Sequence, residues 1–199
     1  MKIIDVKQGT DEWLIARIGI PTASNFDKII TTKGERSKSR EKYLYQLAGE
    51  KIVGKAEETY KNGAMQRGIE MEAEARQAYE IMTGFDVQQV GFCLADDGSH
   101  GASPDGLVGT DGEIEIKCPT LAVHVSYLLE GKLPTDYFQQ TQGQLFVTGR
   151  KWLDFVSYYP GIKPLIVRVK PDKEFIEKLE NEVKDFCADL VKVFEKLRS

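Results

Sequence analysis

Asp105, Glu115 and Lys117 are the residues whose types and spacing could do chemistry. Asp105 lies in a Ser103-Pro104-Asp105-Gly106 turn. Ten residues on from Asp105 is Glu115, within Glu113-Ile114-Glu115-Ile116-Lys117, where charged and apolar side chains alternate with the period of a strand. Glu115 and Lys117 therefore project to one side. Two carboxylates and an ammonium in one place could hold a hard cation and a water against a phosphodiester. Magnesium takes oxygen ligands in octahedral geometry and keeps several waters. Asp105, Glu115 and the backbone carbonyl of Ile116 would suffice for it. Lys117 could position the water or accept its proton. A unit charge about 4 Å away is worth about 4 kcal/mol at an effective dielectric of about 20. The two acids alone therefore keep the lysine protonated, and a dication opposes them. Each motif alone is ordinary: Ser-Pro-Asp-Gly is a common turn, and Glu-Ile-Lys is a common half-buried strand. In this order and at this gap they point to metal-dependent phosphodiester hydrolysis.

These side chains need a sheet and helices to hold them. Thr10 reads as the N-cap of a first helix carrying Trp13, Leu14 and Ile18, and Ser24 as the cap of a second running through Ile30. Residues 31–39 read as a loop, and Arg40–Val53 and Gly63–Thr83 as helices. Strands are expected at Asp86–Leu94, Gly101–Ser103, Leu107–Val108, Glu113–Lys117, Trp152–Tyr159 and Leu165–Val169. Helices are expected at Val123–Leu129 and Pro134–Thr148. A long last helix starts near Pro171, with Ile176, Leu179, Val183, Phe186, Leu190, Val193 and Leu197 spaced by threes and fours. That seam could seat on another subunit; docking on the chain's own sheet is the commoner outcome. The fold class is α/β of the α+β type: a central mixed sheet flanked by helices.

At 199 residues the chain reads as a single domain, 1–199, large enough for a substantial core. No apolar run reaches a bilayer span and no signal-peptide core is visible, so no membrane association and a cytoplasmic location are expected. Cys93, Cys118 and Cys187 are scattered and suggest neither disulfides nor zinc. His100 and His124 form no paired ligand spacing; His100 lies five residues before Asp105 and could line a cleft. The net charge of −4 argues mildly against a nucleic-acid partner. Lys28, Lys33, Arg36, Lys38, Arg40, Lys42, Lys51 and Lys55 nevertheless concentrate in one stretch, which is either a contact surface for DNA or a solvated loop.

Pro104-Asp105 with Glu115-Ile116-Lys117 resembles the PD-(D/E)XK nuclease motif. Ser103–Leu107 followed by Glu115-Ile116-Lys117-Cys118-Pro119 is similar to one branch, the phage lambda exonuclease and YqaJ-like viral recombinase family. Trp13, Arg17–Ile20 and Thr22-Ala23-Ser24 resemble it too, as do Gly68 with Glu72, Ala75 and Arg76, and Tyr137 with Gln140-Thr141-Gln142 and Val147-Thr148. The resemblance spans about residues 5–159 and is weak over 26–62. It implies a restriction-endonuclease-like core. It implies metal at Asp105, Glu115 and the Ile116 carbonyl, with Glu72 at a second Mg2+ or Mn2+ ion, and Lys117 acting on water. Gln142 or Gln140 would orient the water or the lysine; the two lie two apart and do not share a helical face, and Gln142 is favoured. Arg17, Ser24, Thr22 and Gln140 would hold the DNA end and its terminal 5′-phosphate, and Met65 would wedge the end base pair, although on sequence alone it reads as core. The family degrades the 5′-ended strand of duplex DNA, threads DNA through homotrimer rings, and works beside a single-strand annealing protein. Read without the resemblance, a surface arginine, a plain N-cap and a solvated acid are the commoner readings of Arg17, Ser24 and Glu72.

Overall fold

The computed structural model describes residues 1–56 and 63–199, with side chains over the latter range from residue 70 onward. Strand β1, Lys2–Ile4, leads to helix α1, Asp11–Ala16, which Thr10 caps by accepting the N–H of Trp13. A 3-10 helix, Ala23–Lys28, precedes α2, Arg40–Val53, and α3, Gly63–Thr83. Then come β2, Val87–Gln88, β3, Phe92–Leu94, β4, Gly101–Ala102, β5, Gly106–Val108, and β6, Gly112–Lys117. After α4, Leu121–Glu130, and α5, Phe138–Thr148, strands β7, Trp152–Ser157, and β8, Leu165–Val169, lead into α6, Lys173–Arg198.

The main sheet has the order β2-β5-β6-β7-β8, with β6 and β7 parallel and the other pairs antiparallel. It is the mixed sheet expected. A second sheet, β1-β3-β4, stands apart from it. The expected strand Asp86–Leu94 is thus two strands in two sheets. The cause is tertiary: a Cβ on Gly91 would meet the Val6 carbonyl oxygen at 2.0 Å, so backbone passes where a side chain would stand. Strand β1, too short and exposed to show alternation, pairs with β3.

Strand β6 is covered on both faces. Ile114 and Ile116 pack with Ala75 and Tyr79 of α3 and with Val156 and Tyr158. Glu113 and Glu115, on the other face, are also buried, on the side of α5. A helix over each face explains why a charged-apolar alternation is buried as far as Ile116, with Lys117 half-buried at its end. α5 is preceded by a separate 3-10 turn, Thr135–Tyr137, so the expected helix Pro134–Thr148 is broken near Tyr137.

Two further expectations change. Ser24 is not a helix cap: it lies inside the 3-10 helix, whose N-cap position is Thr22. α6 does not seat on the sheet. Its Leu179, Val183, Phe186 and Leu190 join the Phe26, Ile29, Tyr43 and Leu47 core, with Tyr43 stacked on Phe186 at 5.5 Å. The start of its buried seam is Phe175 rather than Ile176, and Leu197 is exposed. No helix among the described residues is long and apolar enough to cross a membrane.

Candidate active site

β5 and β6 run antiparallel with Gly106 opposite Ile114. Asp105 immediately precedes β5 and stays tied to β6 through both its backbone and its side chain. Asp105 donates its N–H to the Ile114 carbonyl at 3.1 Å. Its Oδ2 accepts the N–H of Ile116 at 2.6 Å, which fixes the side chain across the strand. The preceding turn is tied down by Gln8, whose amide donates to the Val90 and Pro104 carbonyls at 2.9 and 2.8 Å.

Glu115 is held from three directions. Lys117 Nζ lies 2.5 Å from Oε1. Gln140 Nε2 donates to Oε1, and Gln144 Nε2 to Oε2, each at 2.6 Å. The Lys117 ammonium also sits 5.1 Å from the Tyr137 ring centre. Glu115 is buried, whereas Asp105 is half-buried and 27 % of the Lys117 side chain reaches solvent, so the opening is on their side. Glu72 pairs with Arg76 on the same helix, and Arg76 reaches the Asp105 carbonyl at 3.5 Å.

The electrostatics are those of an acid pair with too much negative charge. Burial, then Glu115, then Glu72 push the Asp105 carboxyl well above the usual range, and Lys117 and the Ile116 N–H only partly oppose them. Burial alone would lower Lys117, but Glu115 and Asp105 outweigh it and raise it. A cation between the acids would favour the ionised Asp105 carboxylate and oppose the rise at Lys117. No cluster of three or more His, Cys, Asp or Glu side chains suited to a metal occurs among the described residues. Two carboxylates with a neighbouring carbonyl instead match an ion that keeps much of its water.

A second polar cluster lies beside this one. Arg17 stacks on the Trp13 ring at 3.8 Å and donates to Thr22 Oγ1 at 3.2 Å. Thr22 Oγ1 lies 3.2 Å from Ser24 Oγ, and Asn25 donates to both hydroxyls. The Trp13 indole N–H is shared between the Gly91 carbonyl at 3.2 Å and Ser103 Oγ at 3.0 Å, two residues from Asp105. Burial brings Arg17 down to about 10, against the opposing pull of Tyr43 and Glu50.

Several expected residues lie elsewhere. Gln142 does not face the acids: its Nε2 donates to the Lys170 carbonyl at 3.1 Å and its Oε1 accepts the Asp172 N–H at 2.8 Å. Gln140 and Gln144 do, because four residues apart is one helical face. That spacing was readable in the sequence, and Gln144 was missed. His100 stacks on Phe146 at 5.0 Å rather than lining the cleft, and burial lowers its pKa. His124 is buried, with Ser157 Oγ at 2.8 Å and the Lys163 carbonyl at 3.2 Å. In the basic stretch, Arg36 pairs with Glu182 and Asp185, and Arg40 with Asp189, all on α6. Arg40 is buried in its pairing, while Arg36 stays half exposed in a surface pairing. The Met65 side chain lies outside the described residues.

A family model described as "YqaJ-like viral recombinase domain" matches residues 12–151. An alkaline exonuclease from Laribacter hongkongensis, LHK-Exo, is similar at 39 % identity, with a TM-score of 0.86 over 95 % of this chain and 96 % of that one. The same figures hold for LHK-Exo in complex with dAMP. A phage-related exonuclease from Haemophilus somnus 129PT shares the fold at 15 % identity and a TM-score of 0.69, over 89 % of this chain and 96 % of that one. No curated protein matches the chain.

Proposed function

The chain belongs to the YqaJ-like viral recombinase family, and from that premise we propose that it is a divalent-metal-dependent exodeoxyribonuclease. Its substrate is the 5′-ended strand of linear duplex DNA. Its products are mononucleotides and a 3′ single-stranded tail for recombination. The observation that carries this reading is the Asp105–Glu115 pair, held across adjacent strands with Lys117 on Glu115.

The donor set suits Mg2+ or Mn2+ held by Asp105, Glu115 and the Ile116 carbonyl, with Glu72 available to a second ion. When bound, such ions supply charge for the phosphoryl oxygens and a more acidic water. Asp105 and Glu115 hold their places through the Ile116 N–H and the two glutamine amides. Lys117 positions the attacking water, and it can accept a proton only when cationic charge offsets the two acids that raise it. Arg17, Thr22 and Ser24 receive the terminal 5′-phosphate: the guanidinium offers charge and a planar fork, the hydroxyls further donors. Trp13 joins this pocket to the Ser103–Asp105 turn, so the end is held beside the acids. Met65 would stand at the end base pair.

The same reading includes a cytoplasmic homotrimer ring working beside a single-strand annealing protein. A ring retains DNA topologically, which suits an acidic chain whose Arg40 is buried against α6. Light scattering that finds only monomers under active conditions removes the ring. The deciding assay incubates linear duplexes bearing 5′-phosphate or 5′-hydroxyl, and a closed circular duplex, with and without magnesium. Release of mononucleotides from the 5′ ends of linear DNA alone, faster with phosphate, is expected. Cleavage of the circle would indicate an endonuclease on this fold. No magnesium-dependent cleavage of any template would indicate a non-catalytic end-binding module.

A further inference from the structure

Gln144 is fully buried on α5, at 1 % exposure. Its Nε2 donates to Glu115 Oε2 at 2.6 Å, while its Oε1 is buried with no partner among the described residues. Turning the amide over would set oxygen against a carboxylate oxygen, so Glu115 dictates its orientation. An unpaired buried amide oxygen opposes folding. Methionine or leucine would fill the same space without that oxygen. Packing therefore does not account for a glutamine here; its bond to Glu115 does.

That bond complements the others. Glu115 Oε1 already receives Lys117 and Gln140. The last torsion of a glutamate is soft, so contacts to one oxygen leave the carboxylate plane free to turn. Gln144 holds the second oxygen. Gln140 is only half-buried, at the open end of the row, while Gln144 is enclosed. The inner amide is thus the fixed one. We infer that Gln144 is a positioning residue, setting the Glu115 carboxylate plane for a divalent cation shared with Asp105. This rests on the proposed metal-dependent reading of the site. Groups that orient metal ligands typically contribute about 10–100-fold to metal affinity or activity.

The experiment measures Mn2+ binding calorimetrically on the full chain, for wild type, Gln144→Met and Gln144→Asn. Methionine keeps the length without the donor, and asparagine keeps the donor one methylene short. Metal-free melting is recorded alongside, so that a variant that does not fold is recognised and the other is used. The expected result is Mn2+ affinity about 10–100-fold weaker in the folded variants, a smaller Mn2+-induced rise in melting temperature, and turnover restored by excess Mn2+. A folded variant that binds Mn2+ like wild type overturns the inference whatever its metal-free melting temperature, and leaves the nuclease reading standing. A wild-type chain that neither binds Mn2+ nor cleaves DNA removes both.

Discussion

The carboxylate of Asp105 accepts the backbone N–H of Ile116 at 2.6 Å, which locks the acid of one strand beside the acid of the next. The bond has a cost. It holds Asp105 where burial, Glu115 and Glu72 all disfavour its charge. Asp105→Asn should therefore separate stability from turnover. Its melting temperature is expected to stay level or rise without metal. Its cleavage rate should fall at least about a hundredfold, or about 2.7 kcal/mol in barrier, while DNA binding in calcium persists. Unaltered magnesium-dependent cleavage by this variant would remove Asp105 from the site.

Glu113 offers a test in pH. Burial, with a smaller push from Glu115, raises its carboxyl from 4.5 to about 8, against Thr148 and Arg150. Both its oxygens lack a hydrogen-bond partner among the described residues, and the Thr148 hydroxyl donates to the Gln144 carbonyl instead. Between those two values the native state binds more protons than the unfolded chain. Its contribution is thus complete below the ordinary value and is lost as pH rises to about 8, at up to about 1.4 kcal/mol per pH unit. Glu113→Gln should flatten that slope. Metal-free melting curves across this window check it; parallel pH dependences for variant and parent would refute it.

Arg17 gives a prediction on substrate choice. In Arg17→Ala the rate advantage of a 5′-phosphorylated end over a 5′-hydroxyl end should shrink about tenfold or more. That corresponds to one charge-assisted bond of about 1.5 kcal/mol. Arg17→Lys should recover part of it, keeping the charge but not the fork. An undiminished preference in Arg17→Ala would place phosphate recognition elsewhere.

Gln142 is the contrasting case on the same helix. Its amide joins the Lys170 carbonyl to the Asp172 N–H where β8 turns into α6. Gln142→Ala should cost about 1–3 kcal/mol of stability through the groups left unpaired. Cleavage per folded molecule should stay within about twofold. A large loss of turnover in stable protein would restore Gln142 to the chemistry.

What was legible in the sequence was local. The bounds of Arg40–Val53, Gly63–Thr83 and Leu165–Val169 coincide with α2, α3 and β8, because periodicity and end signals lie within each segment. The alternation of Glu113–Lys117 already placed Glu115 and Lys117 on one face, and they meet. What was not legible depends on partners distant in sequence. The Val6 carbonyl passing over Gly91 splits one apparent strand into two sheets. The α6 seam looks the same whether it meets a sheet or, as here, α2. Thr22 at the 3-10 N-cap position caps nothing with its side chain and serves Arg17 instead, which no capping rule foresees. Gln144 differs from these: its spacing from Gln140 was visible, but nothing local marked which face of α5 would meet the acids.

The pairing of α5 with β6 carries one more consequence. Gln140 and Gln144, one turn apart on one face of the helix, both reach Glu115. Loops around them can lengthen at little cost, but a single residue inserted within α5 would swing every later rung about 100° off the acids. An uncharged helix, with no acid or lysine of its own, is therefore as intolerant of an insertion as the strand that carries Glu115.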